Sequence, residues 1–478
     1  MSELKLKNRV FRPIEKKGEI RLYCCGPTVY DYAHIGNLRT YVCEDILRRT
    51  LELNGYKIKH VMNITDVGHL TSQADEGNDK IEKAALEQKK SAWEIAEFYT
   101  ECFLKDIETL NILKPHIMPK ATEHIKEMIE TVKKLEDKGY TYKTDDGIYF
   151  DTSKFKKYGE LTGRSFEQLN KYLKAGMRVC YNQQKKNITD FALWKFSPKN
   201  EKREMEWDSP WGVGFPGWHI ECSAMSMKYL GETLDIHCGG IDHISIHHTN
   251  EITQSECATG KKFVNYWVHC NFLLVEGKKM SKSLKNFYTL QDVLDKNYGW
   301  REIRYLLMSG QYSQELNFTL RNLEGIKTTI KKFGEFMTTL RDVDFEKNCV
   351  GLEEIINNSK ENFLKNLNND LNTPEALAVV FDFINKINKF IFDKTLVKEE
   401  MVKCIETMLW FDKVLGLKLE EFLEEAEISE EIKKLVEKRE DFRREKNFEG
   451  ADKIRDKLKE LGFRINDSDS GPKLKKID

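Results

Sequence analysis

Cys25-Gly26-Pro27-Thr28-Val29-Tyr30-Asp31-Tyr32-Ala33-His34-Ile35-Gly36-Asn37 is the stretch on which the reading of the fold turns. Upstream of it, Ile20, Leu22 and Cys24 alternate with Arg21, Tyr23 and Cys25, a strand period that Gly26-Pro27 stops. Downstream, Leu38, Tyr41, Val42, Ile46, Leu47, Leu51 and Leu53 recur at mostly helical spacing, and Gly55 predicts a left-handed stop. The stretch is therefore a strand-to-helix connection. In an open parallel sheet such connections lie at the carboxyl ends of the strands, where ligands bind. A helix start also offers free N–H groups and a positive dipole to a phosphate. The motif is neither Gly-x-Gly-x-x-Gly nor a phosphate loop ending in Gly-Lys-Ser/Thr, so a nucleotide here would be met by His34 and Gly36. A plain connection carrying a surface histidine fits the same residues, and taken alone the stretch favours it.

A chain of 478 residues calls for several domains. Its 40% hydrophobic content suffices for real cores, and its 32% charged content predicts a highly polar surface. The formal net charge of -1 confines any nucleic-acid site to a local patch. No apolar stretch is of membrane-spanning length and none at the N-terminus is of signal type, and the 11 cysteines read as reduced thiols. The expectation is a cytoplasmic protein.

Residues 19–112 read as α/β, with a strand at 56–63, a polar loop from Asp66 to Asp79 and helix from Asp79 to Leu113. Residues 120–195 read as an inserted subdomain, with a helix over 122–138 and a strand pair around Ile148-Tyr149-Phe150. Residues 205–275 return to α/β, 276–310 carry a basic loop and a helix, and 320–423 are helical throughout. Thr373-Pro374 reads as an N-cap followed by proline at the first helical position, opening a helix to about Phe392. Residues 427–465 are helical and rich in Lys, Arg and Glu, before a polar basic tail. Phe442, Phe448 and Phe463 read there as core residues, and the charges as a solvated face.

Two groups of residues carry chemistry. Cys25, Cys222, His247 and Glu251 make a plausible Zn²⁺ shell of two thiolates, an imidazole and a carboxylate, the last two sharing a helix face at i, i+4. Ordinary core cysteines and a helix-surface pair fit the same residues, and without further context that reading is favoured; His237, Cys238, His243 and Cys24 compete as ligands. Cys24 and Cys25 should point to opposite faces of the strand, so one alone can serve a given site. The second group is Lys279-Met280-Ser281-Lys282-Ser283, whose lysines could neutralise a polyphosphate as its charge builds in a transition state.

His34-Ile35-Gly36-Asn37 followed far downstream by Lys279–Ser283 resembles the paired signature of class I aminoacyl-tRNA synthetases. Cys25–Asp31, Asn63-Ile-Thr-Asp66, Asp190–Lys195, Pro216–Met225, His247–Gln254, Asp370–Leu377 and Ala451–Asp456 narrow the resemblance, over essentially the whole chain, to the cysteinyl-tRNA synthetases. The resemblance implies an α/β fold: a Rossmann-like catalytic domain at 1–114 and 196–275 split by a connecting insertion at 115–195. A lysine-loop region at 276–318, an α-helical bundle at 319–425 and a small C-terminal anticodon-binding domain at 426–478 would follow. It implies a monomer that uses L-cysteine, ATP with Mg²⁺ and tRNA(Cys), touches no membrane and holds one Zn²⁺. Carried over by position, Cys25, Cys222, His247 and Glu251 would ligate zinc. His34, Gly36, Asn37, Lys279 and Lys282 would serve ATP, with His34, Lys279 and Lys282 catalytic. Thr28, Thr65, Trp218 and Asp242 would line the cysteine pocket.

Zinc has a physical reason to be there. Cysteine and serine differ by one atom, and a discrimination of roughly 10⁴-fold, about 5.5 kcal/mol, exceeds what shape supplies in a small pocket. A soft metal prefers the thiolate. Against the usual family pattern, Asn37 replaces a second histidine, Cys238 and Lys285 replace glycines, and Ile246 replaces a proline. Two other readings remain: a ligase joining cysteine to an amino-sugar, which the matching tail disfavours, and a non-catalytic tRNA-binding paralogue, which the intact lysine loop and metal ligands disfavour.

Overall fold

The computed structural model describes residues 2–15, 18–67, 79–176, 183–198, 203–281, 284, 286–424, 430–461, 463–468 and 471–476. A short antiparallel pair, β1 (Lys5–Leu6) and β2 (Arg9–Val10), precedes β3 (Glu19–Cys24). Helix α1 (Ile35–Leu53) follows the opening motif, and Gly55 takes the left-handed conformation (φ +84°) on the way to β4 (Lys57–Met62). The helical stretch expected over 79–113 is made of two helices, α2 (Lys80–Gln88) and α3 (Ala92–Thr109). The break has a local cause. Ser91 accepts the N–H of Glu94 while the Glu94 side chain takes the N–H of Ser91, a capping box that starts a new helix.

The insertion holds α4 (Ile125–Asp137), entered through a 3₁₀ turn at Ala121–His124, then β5 (Thr141–Thr144), β6 (Gly147–Phe150), α5 (Phe166–Gly176), β7 (Phe191–Phe196) and β8 (Gly214–Pro216). The strand pair expected at Phe150 is part of a four-stranded antiparallel sheet, β5-β6-β7-β8. Phe150 and Phe191 stack across it with centroids 5.2 Å apart.

The chain returns through α6 (Trp218–Leu230), β9 (Leu234–Gly240), α7 (His247–Thr259) and β10 (Val264–Cys270). The central sheet is parallel with strand order β10-β9-β3-β4. Toward their carboxyl ends β3 and β4 are buried on both faces, at Leu22–Cys24 and His60–Met62, as a sheet covered by helices requires. From β3 the chain steps to β4 on one side, and later fills β9 and β10 on the other. The order therefore reverses at the β3/β9 pair, and the carboxyl ends there flank a crevice.

Next come β11 (Leu273–Val275), β12 (Lys278–Lys279), α8 (Leu290–Leu294), α9 (Trp300–Met308) and β13 (Leu316–Phe318), with strand order β12-β11-β13. Four helices complete this unit: α10 (Leu320–Asp342), α11 (Leu352–Asn368), α12 (Thr373–Phe392) and α13 (Lys398–Leu415). The cap of α12 is Asn372, one residue before the expected Thr373; its side chain accepts the N–H of Glu375, and the proline sits one position further in. The fully buried Arg304 of α9 ties helices together: Nη2 donates to Asp45 Oδ2 of α1 at 2.5 Å and Nε to the Leu415 carbonyl of α13 at 2.7 Å.

Met1–Leu417 form one compact unit and Lys418–Asp478 a second. The second contains α14 (Glu430–Arg444), α15 (Phe448–Glu460) and an antiparallel hairpin, β14 (Phe463–Ser468) with β15 (Gly471–Lys476), where the sequence predicts helix as far as 465 and then a polar tail. Its core is Ile432, Leu435, Leu458, Phe463 and Ile465. Phe463 is thus core as expected, but Phe448 is not: it is 64% exposed, the buried side of α15 being carried by Ala451 and Leu458.

Candidate active site and metal centre

The crevice holds a cavity of about 450 Å³ lined by Cys25, Thr28, His34, Gly36, Asn37, Thr65, Trp218, Cys222, Asp242, His247 and Lys279, so residues from both halves of the sheet and from the lysine loop share one space. Lys282 lies outside the described residues, as does most of the polar loop after Asp66.

At one end, Cys25 leaves β3 and its sulfur lies 3.4 Å from His248 Nε2 and 3.9 Å from Glu251 Oε1. On α7, His247 Nε2 and Glu251 Oε1 are 3.0 Å apart, the i, i+4 pairing expected from sequence. Cys222 reaches in from α6. The donor atoms of Cys25, Cys222, His247 and Glu251 all lie within 4.8 Å of one another, and all four residues are buried. A second set, Cys25, His237, His248 and Glu251, meets the same limit. Of the competing cysteines, Cys24 turns to the other face of β3, toward Cys238 and Glu44, and neither Cys24 nor Cys238 joins either set.

This donor chemistry fits zinc: two sulfurs, one imidazole and one carboxylate suit a four-coordinate site. The hydrogen bond from Cys25 draws the Cys222 thiol down to about 6, against burial. Burial and then Cys222 push Cys25 well up. Burial disfavours charge on Glu251, but His237 and His247 hold its carboxyl down at about 2. His247 is raised to about 10 against burial, chiefly by Glu251. The group thus holds protons on Cys25 and His247, which a metal ion would displace. His247 is also held from behind: its Nδ1 lies 3.0 Å from His219 Nδ1, and the Trp218 ring stacks on it at 4.2 Å.

Thr65 is oriented by a chain that the sequence did not announce. Asn63 Nδ2 donates to Thr65 Oγ1 at 3.0 Å, and Thr65 Oγ1 donates to the buried Glu221 at 3.0 Å. Glu221, whose carboxyl burial raises well above its ordinary value, His219 and His248 are the residues sequence reasoning missed. The only signal for them was their position beside named residues, in Trp218-His219-Ile220-Glu221-Cys222 and His247-His248.

At the other end, His34 is the N-cap of α1. Its Nδ1 accepts the N–H of Asn37 at 3.1 Å, and Asn37 Oδ1 accepts the N–H of His34 at 3.2 Å. A Cβ on Gly36 would lie 2.9 Å from the His34 ring, so only glycine lets the ring fold over the helix start. Burial lowers the His34 pKa, which keeps the ring neutral near pH 7. Lys279 is exposed, with Nζ over the Phe272 ring at 5.0 Å. The loop after it is tied by Asn286, which accepts from Ser281 N at 2.8 Å and donates to the Lys279 carbonyl at 3.2 Å.

Sheet order, crevice and the two-ended cavity are those of a class I aminoacyl-tRNA synthetase. The family described as tRNA synthetases class I (C) catalytic domain matches residues 10–328, and the DALR domain matches 362–420, which spans the end of α11, α12 and α13. A solved methionyl-tRNA synthetase of Mycobacterium tuberculosis bound by methionyl-adenylate shares the fold, with TM-score 0.59 at 13% identity over 85% of this chain and 94% of that one. Within the class, the cysteine–tRNA ligase of Treponema denticola is 45% identical over 98% of both chains. That of Thermococcus onnurineus is 41% identical over 98% of this chain and 96% of its own. The chain belongs to the cysteine–tRNA ligase family.

Proposed function

We propose that the cavity activates L-cysteine with ATP and passes the cysteinyl group to the 3′ end of tRNA(Cys), and that Cys25, Cys222, His247 and Glu251 hold one zinc ion. The observation that carries this reading is the single cavity with a soft-metal donor set at one end and His34, Gly36 and Lys279 at the other. Bound by those four residues, zinc supplies a soft Lewis-acid site that takes a thiolate in preference to a hydroxyl.

The chain's own groups do the rest. Asp242 offers a carboxylate to the substrate ammonium, while Thr28, Thr65 and the Trp218 ring shape the pocket, with Thr65 set by Asn63 and Glu221. The substrate carboxylate attacks the α-phosphorus of ATP, pyrophosphate leaves, and the terminal adenosine hydroxyl of tRNA then attacks the acyl carbonyl and releases AMP. A neutral His34 donates a hydrogen bond to the phosphates without adding charge, and Gly36 admits the nucleotide close to the backbone. Lys279 and Lys282 offset the charge that builds on the triphosphate, with Mg²⁺ accompanying ATP. A cytoplasmic monomer is the accompanying expectation; among the described residues no helix is long and apolar enough to cross a membrane.

ATP–pyrophosphate exchange with the purified chain tests this. Cysteine stimulates exchange and serine does not; an absence of stimulation by cysteine defeats the reading. Lys282→Ala should lower the rate of adenylate formation far more than it weakens cysteine binding.

A further inference from the structure

Cys43 and Cys270 take no part in the donor set, yet their sulfurs lie 3.2 Å apart. Both are buried, and Cys270 lines the cavity. Cys43 sits on α1 one turn beyond Arg39, so the two share a helix face. Cys270 ends β10, and the next two carbonyls, of Asn271 and Phe272, accept hydrogen bonds from Arg39 Nη1 at 2.8 and 2.5 Å. Nη2 of the same side chain donates to Gln314 O at 2.6 Å. The fully buried guanidinium therefore clamps the turn after Cys270 to the helix that carries Cys43, and presets the sulfur contact.

We propose that Cys43 and Cys270 form a dithiol site that cystine, the disulfide of the substrate amino acid, oxidises from the cavity side. The choice of cystine rests on the reading of this cavity as a cysteine site; the thiol pair does not. Cys270 is the attacking sulfur, because it faces the cavity and because the hydrogen bond with Cys43 and, after it, the charge of Arg39 favour its thiolate against burial. Its thiolate attacks one sulfur of cystine, and the departing cysteine thiolate takes up the proton that Cys270 gave. The mixed disulfide is resolved when the Cys43 sulfur, losing its proton, attacks the Cys270 sulfur and releases the second cysteine. One cystine and two protein thiols become one protein disulfide and two cysteines.

Bond formation requires the sulfurs to approach by about 1 Å, drawing the 270–272 turn toward α1. Phe272 lies in that turn beneath Lys279 Nζ, at 5.0 Å, so the oxidised chain presents a displaced triphosphate contact. An oxidised enzyme slows when cystine accumulates, and its reduction restores it.

The test treats the reduced full-length chain with cystine, alkylates the remaining thiols and maps peptides by mass. The expected result is a Cys43–Cys270 link and a KM for ATP in pyrophosphate exchange raised roughly tenfold, both reversed by dithiothreitol. Cys43→Ser, which exchanges normally when reduced, should stop at a cysteinyl mixed disulfide on Cys270. Oxidised glutathione, being bulkier, should form the link more slowly; equal rates would overturn the assignment to cystine. Finding both thiols still alkylated after cystine, in a protein that shows cysteine-dependent exchange, overturns the proposal and leaves the ligase reading standing. A reduced protein without exchange defeats the ligase reading, while the peptide map still decides the thiol pair.

Discussion

His34 and Asn37 cap each other: the imidazole Nδ1 accepts the N–H of Asn37 and the carboxamide oxygen accepts the N–H of His34, at 3.1 and 3.2 Å. The residue that departs from the usual second histidine therefore has a structural task at the start of α1. Asn37→Ala should cost about 1 kcal/mol in urea denaturation and weaken ATP binding. Asn37→Asp keeps the acceptor and should keep the stability, but it sets a carboxylate toward the phosphates and should lose pyrophosphate exchange. An Asp variant with wild-type exchange would remove Asn37 from the nucleotide site.

Arg304 and Asp45 form a fully buried pair at 2.5 Å, and Arg49 also reaches Asp45 at 2.7 Å. Removing Arg304 leaves the buried carboxylate with one cationic partner where two stood, beside the N–H of Leu113. Arg304→Met should destabilise the chain by about 3 kcal/mol or more. Combining it with Asp45→Asn should cost clearly less than the sum of the single changes. Additive losses in a denaturation cycle would show that the two side chains are not coupled.

His60 is buried, and among the described residues neither of its ring nitrogens has a hydrogen-bond partner. Burial, with Arg48 and His116 adding to it, holds its pKa down at about 3 against an ordinary 6.5. Below 6.5 the unfolded chain takes up a proton that the folded chain refuses, so this group's contribution to stability is complete above 6.5 and is lost as pH falls toward 3. The slope in that window is about 1.4 kcal/mol per pH unit. His60→Leu should flatten that part of the pH–stability curve, and an unchanged slope would place the acid sensitivity elsewhere.

The zinc assignment predicts one metal equivalent per chain. Glu251→Ala and Cys222→Ala should each lose it, as measured by elemental analysis of the purified variants. His248→Ala removes a donor from the second set alone and should leave the metal in place. Loss of the metal from that variant, with Cys222→Ala still loaded, would move the ion to Cys25, His237, His248 and Glu251.

Much of this was legible in one dimension. The strand–turn–helix at Glu19–Leu53 follows from an alternating strand, a Gly-Pro stop and a helical repeat, all of them local. The i, i+4 spacing of His247 and Glu251 placed both on one helix face. The opposed directions of Cys24 and Cys25 followed from the strand period alone. The family motifs supplied Cys222 as a partner, but their separation in sequence carried no geometry.

The tertiary structure decided the rest. Cys222 meets Cys25 only because β3 and the helix before β9 come together where the strand order reverses, a consequence of packing helices on both faces of a parallel sheet. The Asn63–Thr65–Glu221 chain, the Arg304–Asp45 pair and the Cys43–Cys270 contact join residues far apart along the chain. Buried polar groups must find partners wherever the fold brings one within reach, and no local pattern records where that is. The same limit hid the C-terminal hairpin: its strands are largely polar, and the core of Ile432, Leu435, Leu458, Phe463 and Ile465 gives them a face to bury.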